Sequence, residues 1–248
     1  MPTSQLRAIA FGTSVHLARF AIIVITLAVA PMLGITGWYL GLAANVACVA
    51  FAAVLVTVRG LWRQSGILVR WRGRTAVILL VPLVIEVLVW AVPEGLVEQP
   101  PGFGLWSLTL LLAAANEELT SRVVVLERMR PAFRPHIAVA ITAALFGLQH
   151  LSAFATTSRT FDDILLNVLV SACYGFALAA FQLRFRWLWP LILLHAGANF
   201  ATLFSARPLP DAVIAITLVM FIGLGLTILR SMKPSPTRSS DGVGDQAP

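Results

Sequence analysis

Residues 116–122 have the sequence NEELTSR and separate two apolar runs, residues 103–115 and 123–126. The adjacent carboxylates of Glu117 and Glu118 and the guanidinium of Arg122 therefore lie inside a segment that is otherwise typical of a membrane-spanning helix. An ionised side chain at the middle of a bilayer costs roughly 2.5–3.5 kcal/mol on insertion scales. The stretch therefore predicts a membrane helix that turns its charged face inward, towards ionic partners or a polar cavity.

Composition indicates a membrane protein along the whole chain. Of its 248 residues, 58% are hydrophobic and only 12% are charged, and the mean hydropathy is +0.87. A soluble domain carries about 25% charged residues. Apolar runs long enough to cross a bilayer as helices recur throughout, and the sequence lacks the two-residue alternation of a membrane β-barrel. The predicted fold class is all-α: a polytopic membrane protein with about eight transmembrane helices.

The apolar runs place eight predicted spans on the chain. Their approximate limits are residues 17–36, 39–58, 75–92, 103–126, 137–154, 164–183, 188–204 and 212–229. Residues 1–230 then form one integral membrane domain, and residues 231–248, rich in Ser, Pro, Gly and Asp, are expected to be a disordered cytoplasmic tail. Cys48 and Cys173 both lie in apolar runs, which predicts packing residues rather than a disulfide framework or a zinc motif.

The net charge of +7 indicates membrane topology rather than nucleic-acid binding, because the basic residues are concentrated in alternate loops. With the N-terminus inside the cell, the inner segments contain Arg7, Arg19, Arg59, Arg63, Arg70, Arg72, Arg74, Arg128, Arg130, Arg134, Arg184, Arg186, Arg230, Lys233 and Arg238. The outer segments contain only Arg159 and Arg207, with the acids Glu94, Glu98, Asp162, Asp163 and Asp211. This arrangement satisfies the positive-inside rule at every loop. It predicts a multi-pass protein of the cell membrane with both termini in the cytoplasm.

Two of the four histidines lie within predicted spans, His150 in the fifth and His195 in the seventh. Residues four apart share a helical face, so Phe146 is expected beside His150 and Asn199 beside His195. A lone intramembrane histidine is often a hydrogen-bonded packing residue. The two histidines therefore gain interest only in combination with other polar groups.

Other ionisable groups near the spans have simpler interpretations. His16 and His136 lie at span edges near arginines and are expected at the membrane interface. Glu118 and Arg122 are four residues apart, which favours a structural ion pair. Glu86 is intramembrane without a polar neighbour at helical spacing, and the sequence does not explain it.

Four polar residues on three predicted spans are together typical of hydrolytic chemistry: Glu117, His150, His195 and Asn199. Glu117 is not obviously neutralised by Arg122, and a carboxylate in a low-dielectric site can act as a base towards water. Histidine can share or relay that proton, and a His–Asn pair supplies donors for a developing oxyanion. No Ser or Cys has the context of a nucleophile, so direct attack by water is the simpler scheme.

Three motifs carry a resemblance to a known family: Glu117-Glu118-xxx-Arg122, Phe146-xxx-His150 and His195-xxx-Asn199. They resemble the signature motifs of the CPBP (CAAX protease and bacteriocin-processing) family, also called the Abi family, which includes the Ras-converting CAAX prenyl endopeptidases. The resemblance covers roughly residues 103–204. It implies a CPBP-like helical bundle of eight helices, an intramembrane glutamic endopeptidase whose site lies in a cavity open towards the cytoplasmic leaflet.

The resemblance also implies roles for individual residues. Glu117 would be the general base, and His150 would help it to activate the water. His195 and Asn199 would polarise the scissile carbonyl and hold the oxyanion. No cofactor is implied by this scheme.

Supporting roles are implied for the remaining motif residues. Glu118 and Arg122 would order the helix and the site, and Phe146 would pack beside it. The substrate would be a membrane-associated peptide or protein, either CAAX-type and prenylated or a membrane or secreted peptide, and membrane lipids would surround the enzyme. Arginine in preference to lysine, together with abundant alanine, is typical of a GC-rich bacterial genome and favours the second kind of substrate.

Three alternatives stay open on sequence alone. Glu117, His150 and His195 could form a two-histidine, one-glutamate zinc site, although no His-Glu-x-x-His motif is present. The chain could instead act without catalysis, as a membrane immunity or scaffold protein. A proton-coupled transporter would also use intramembrane acids and histidines, but the sequence shows neither internal repeats nor paired broken helices.

Overall fold

The computed structural model describes residues 2–232, in which the helices account for the eight predicted spans. The helices are α1 (Thr3–Val29), α2 (Trp38–Val58), α3 (Trp62–Ser65), α4 (Arg74–Ala91), α5 (Phe103–Glu118), α6 (Leu126–Met129), α7 (Pro135–Leu148), α8 (Ala153–Thr156), α9 (Phe161–Phe185), α10 (Leu188–Phe204) and α11 (Asp211–Arg230). Short 3₁₀ turns extend α1 at Ala30–Leu33 and join α7 to α8 at Gln149–Ser152. The predicted tail lies outside the described residues from residue 233 onward.

Within residues 2–232, six helical segments are long and apolar enough to cross a membrane, and α10 is a shorter apolar helix. The fourth predicted span, residues 103–126, is a continuous helical segment in which α5 leads through a π-helix, Leu119–Val125, into α6. A π-helix is rare and is frequent at functional sites. The protein is therefore a polytopic helical membrane protein, as its composition predicts.

The predicted start of the first span is wrong. Helix α1 begins at Thr3 rather than near residue 17, and it includes His16 and Arg19 in its middle. Both side chains are buried, with 7% of each residue exposed. The polar residues that suggested an interfacial segment do not end the helix, because they face the protein interior instead of lipid.

The loops sort onto two faces of the bundle. We define the arginine face as the face that carries Arg186. On this face the α9–α10 turn contacts the loop after α3, and Arg186 lies 3.8 Å from Glu127. The start of α1 belongs to the same face, since Gln5 donates a hydrogen bond to the carbonyl of Ala132. On the opposite, acidic face, the loop after α4 pairs with the end of α10 through Val97 and Phe204.

This sorting agrees with the alternation of charge along the sequence. The described part of the arginine face carries Arg7, Arg59, Arg63, Arg70, Arg72, Arg74, Arg128, Arg130, Arg134, Arg184, Arg186 and Arg230. The acidic face carries Glu94, Glu98, Asp162, Asp163 and Asp211 beside Arg159 and Arg207. Which face meets the cytoplasm stays a prediction of the positive-inside rule.

The backbones of α7 and α9 approach each other closely near the site. A Cβ added at Gly147 would lie 2.7 Å from the carbonyl oxygen of Val168 and 2.8 Å from the Cβ of Ala172. Only glycine lets the two backbones pack at this distance. The contact holds the end of α7, and with it the 3₁₀ turn that follows, against α9.

The Gly147→Ala substitution should lower the free energy of unfolding by about 1–3 kcal/mol, the usual cost of overpacking a close contact. Gly223→Ala is the matched control, because a Cβ there meets nothing within 4 Å. That control should leave stability unchanged or raise it by up to about 1 kcal/mol through helix propensity. Equilibrium unfolding in one detergent compares the two, and equal stability of both variants would contradict the packing argument.

Candidate active site

Glu117 is paired with an arginine from the first helix. Nη2 of Arg19 lies 2.8 Å from Oε1 of Glu117, and Nε of Arg19 donates to Oδ1 of Asn116 at 2.7 Å. Asn116 is itself held by Asn45 at 3.3 Å and by the carbonyl of Leu112 at 3.2 Å. One guanidinium therefore links α1 to two consecutive residues of α5 and neutralises the first of the two adjacent carboxylates.

Glu118 has a different set of partners. Its Oε2 lies 3.2 Å from Nε of Arg122, which confirms the predicted ion pair, and its Oε1 lies 2.8 Å from Nδ1 of His195. A carboxylate only accepts hydrogen bonds, so Nδ1 of His195 carries the proton. Glu118 thus fixes both the ring orientation and the tautomer of a histidine on α10.

Arg122 is completely buried and lies over an aromatic face. Its Cζ is 3.8 Å from the centre of the Phe146 ring, a cation–π geometry. Gly175 leaves room for this stack, because a Cβ there would lie 2.8 Å from Cδ1 of Phe146 and 3.4 Å from Nη2 of Arg122. The predicted packing role of Phe146 is therefore seen as a contact with Arg122 and, at a ring separation of 5.9 Å, with His195.

Local helix geometry explains why two neighbouring glutamates reach different partners. Successive side chains of an α-helix point about 100° apart. Glu117 therefore faces α1, and Glu118 faces α10. The π-helix begins at the next residue, and all of its residues are buried, so the charged turn is followed by a fully packed segment.

His150 lies in the 3₁₀ turn after α7 rather than within the helix itself. Its Nδ1 is 3.0 Å from the carbonyl oxygen of Phe146 and 3.3 Å from that of Gly147. Since carbonyls only accept, Nδ1 donates, and Nε2 of the neutral ring is left as an acceptor. Nε2 lies 3.4 Å from Oγ of Ser171, which means that this acceptor is directed at the α9 side of the cavity.

The four predicted catalytic residues line one cavity. Its volume is about 550 Å³, and its walls include Glu117, His150, His195 and Asn199. Glu117 reaches the cavity through Oε2, which lies 3.6 Å from Nε2 of His195. Asn199 lies one helical turn beyond His195 on the same wall. The structure thus brings together every catalytic residue that the sequence predicts.

Sequence reasoning missed several residues that shape this site. Arg19 was interpreted as a cytoplasmic charge, although the absence of a partner for Glu117 was a signal that a second cation was needed. Tyr174 packs on the ring of His195, with ring centres 5.5 Å apart. Glu86, unexplained by the sequence, is buried and lines the same cavity.

The prediction that His16 lies at the membrane interface is wrong. His16 is buried, and its Nδ1 lies 3.0 Å from Oε1 of Gln149. It therefore joins α1 to the residue that precedes His150. His136, by contrast, is exposed at the start of α7 on the arginine face.

The zinc alternative needs three ligands that converge. Over residues 2–232, no group of three or more His, Cys, Asp or Glu side chains is arranged to hold a metal ion.

Residues 99–201 match the family described as type II CAAX prenyl endopeptidase, Rce1-like. This segment of the chain is therefore similar to the Rce1-like family. The predicted relationship to the CAAX proteases is thereby confirmed, and it supports an intramembrane endopeptidase in general terms. No curated protein matches the chain. The Rce1-like segment contains every predicted site residue, whereas Arg19, His16, Asn45 and Glu86 lie outside it.

Replacement of Arg122 by methionine should strongly destabilise the folded protein. Breaking a buried ion pair leaves one charge without compensation and costs about 3–5 kcal/mol, and both side chains of the Glu118–Arg122 pair are fully buried. The control is Arg130→Met, because the Arg130–Glu127 pair is partly exposed and such pairs contribute about 0–1 kcal/mol. Equilibrium unfolding in detergent measures both, and a similar loss in the two variants would refute the distinction.

Proposed function

We propose that this chain is an intramembrane endopeptidase of the glutamic type, in which water activated by Glu117 and His150 attacks the peptide bond of a membrane-associated substrate. The observation that carries the proposal is the state of the Glu117 carboxylate. Oε1 is tied to Arg19, while Oε2 faces His195 and the cavity. One oxygen is used to fix the side chain, and the other is left for chemistry.

Activation of water needs an acceptor pair on one side of the cavity. Oε2 of Glu117 and Nε2 of His150 are both acceptors under the hydrogen bonds described above. A water held between them would give a proton to Glu117, and its oxygen would attack the carbonyl carbon of the substrate. General-base catalysis of this kind contributes typically 10²–10⁴-fold.

The developing oxyanion needs hydrogen-bond donors. The Nδ2 group of Asn199 is one such donor. His195 is the second when it enters the cycle as an imidazolium: it holds protons on Nε2 and Nδ1 from start to finish, and Nδ1 keeps its hydrogen bond to Glu118. The carboxylate of Glu118 then stabilises the imidazolium, as a third group does in other catalytic triads.

Collapse of the tetrahedral intermediate completes the cycle. Protonated Glu117 returns the proton to the leaving nitrogen, the carbon–nitrogen bond breaks, and the products are a carboxylic acid and an amine. Water is the only co-reactant, so the atoms balance without a cofactor.

We also propose the bacterial cell membrane as the location, with both termini in the cytoplasm. The support is the separation of an arginine face from an acidic face, which follows the positive-inside pattern. The substrate on this proposal is a membrane-associated or secreted peptide.

Glu117→Gln should lower the rate of peptide cleavage by about 10²–10⁴-fold, because the amide cannot accept the proton of the water. The measurement is cleavage of a quenched-fluorescence peptide library by detergent-purified protein, with Glu127→Gln on the arginine face as the matched control. A chelator should not change the rate. Chelator-sensitive activity that zinc restores would favour the metal alternative, and undiminished cleavage by Glu117→Gln would exclude Glu117 as the base.

Arg19→Met should lower kcat by about 10–100-fold with little change in KM. Loss of a hydrogen bond between charged groups costs about 1.5–3 kcal/mol, and Arg19 does not line the cavity. Arg19→Lys keeps the charge and should recover part of the rate, whereas Arg7→Met, an exposed arginine of the same helix, should be neutral. An unchanged kcat in Arg19→Met, or a change confined to KM, would show that Arg19 does not position the base.

A further inference from the structure

The cavity that holds the site has a definite direction within the bundle. Its inner walls are at the middle of the helices, at Glu117, His195 and Phe221. From there its lining continues only towards the acidic face, through Asn167 near the start of α9 and Thr202 and Leu203 near the end of α10, as far as Arg159 in the loop before α9. Among residues 2–232, none of the loops of the arginine face contributes to its lining.

Between the site and the arginine face, the bundle is tightly packed. The π-helix is buried along its whole length, and the loop that follows α3 is strapped across the α9–α10 turn. Gln182 donates to the carbonyl of Ser65 at 2.8 Å, and the indole of Trp187 donates to that of Val69 at 2.7 Å. Gly66 lies so close to Arg186 that a Cβ would overlap the carbonyl of Arg186.

We propose that the catalytic cavity opens on the extracytoplasmic side of the membrane, so that its substrates are peptide segments presented at the outer leaflet. The proposal rests on the proposed peptidase function and on the positive-inside rule, which places a face crowded with arginine in the cytoplasm. It is the opposite of the cytoplasmic opening that the family resemblance implies. The lining residues show that the cavity extends towards the acidic face. The loop charges place that face outside the cell. Together they support an outer opening.

The substrate class follows from this direction. A protein that stays in the cytoplasm cannot deliver a peptide bond to a cavity that is closed on the arginine face. The site instead fits secreted peptides and the outer ends of membrane-spanning segments. The cationic side chain of Arg159 at the rim adds a group that pairs with a carboxylate on such a segment.

The test is labelling of single cysteines by a charged, membrane-impermeant maleimide in a background carrying Cys48→Ala and Cys173→Ala. Asn167→Cys reports on the cavity, Asp162→Cys on the acidic face, and Arg63→Cys on the arginine face. Leu166→Cys is the matched control for depth, because Leu166 is exposed on the outside of α9 and does not line the cavity. Each variant is treated in intact bacterial spheroplasts and in inverted membrane vesicles.

Asn167→Cys and Asp162→Cys should be labelled in spheroplasts, and Arg63→Cys only in inverted vesicles. Asn167→Cys should react at least about tenfold faster than Leu166→Cys, because only a thiol in water ionises to the reactive thiolate. Labelling of Asn167→Cys only in inverted vesicles, its failure to react from either side, or labelling of Arg63→Cys in spheroplasts would each overturn the proposal. The labelling assay does not depend on peptide cleavage. Undiminished cleavage by Glu117→Gln would therefore contradict the proposed role of Glu117 without changing the labelling result.

Discussion

The rest of this structure depends on one constraint: two adjacent carboxylates in a water-poor interior must each be paired with a cation. Two adjacent glutamates would oppose membrane insertion if either lacked a partner. Arg122 supplies one cation from the same helix, and Arg19 supplies the other from α1, so the four charges cancel. Because Arg19 reaches Glu117 from within α1, the helix continues through its polar residues His16 and Arg19 instead of starting after them. The stack of Arg122 on Phe146 and the small Gly175 are consequences of holding a guanidinium without water.

Much of this arrangement could be predicted from the sequence, because local spacing carries the information. Helical periodicity was sufficient for the Glu118–Arg122 pair, and the hydropathy of the chain located the later spans to within a few residues. Arg19 was different. Its partner Glu117 lies 98 positions away along the chain, and no helical periodicity relates the two residues. The positive-inside rule also expects an arginine near an N-terminus to lie in the cytoplasm, so the rule gave no sign that Arg19 lies within the helix and faces its interior partners. His16 was misplaced for the same reason.

Most residues of the candidate site lie inside the family match, and a few lie outside it. All the groups proposed to touch the substrate during catalysis lie in the Rce1-like segment, residues 99–201. Arg19, the cation that pairs with Glu117, lies on α1, and so does His16, which contacts the residue before His150. The helices outside the match are therefore more than a hydrophobic surround: they set the electrostatic environment in which the motif residues act. Glu86 on α4 extends the same principle to the cavity wall.

The two glutamates show how one turn of helix can produce two kinds of carboxylate. Glu118 is completely enclosed and has both oxygens committed, to Arg122 and to His195. Glu117 keeps 12% of its side chain exposed and one oxygen directed into the cavity. Environments that differ in this way separate the chemical roles of neighbouring acids. A carboxylate with both oxygens occupied cannot receive a proton from water without losing a structural bond, whereas Glu117 can do so while Arg19 continues to hold it. The partners of each oxygen therefore support the proposed roles of Glu117 as the base and Glu118 as a supporting residue.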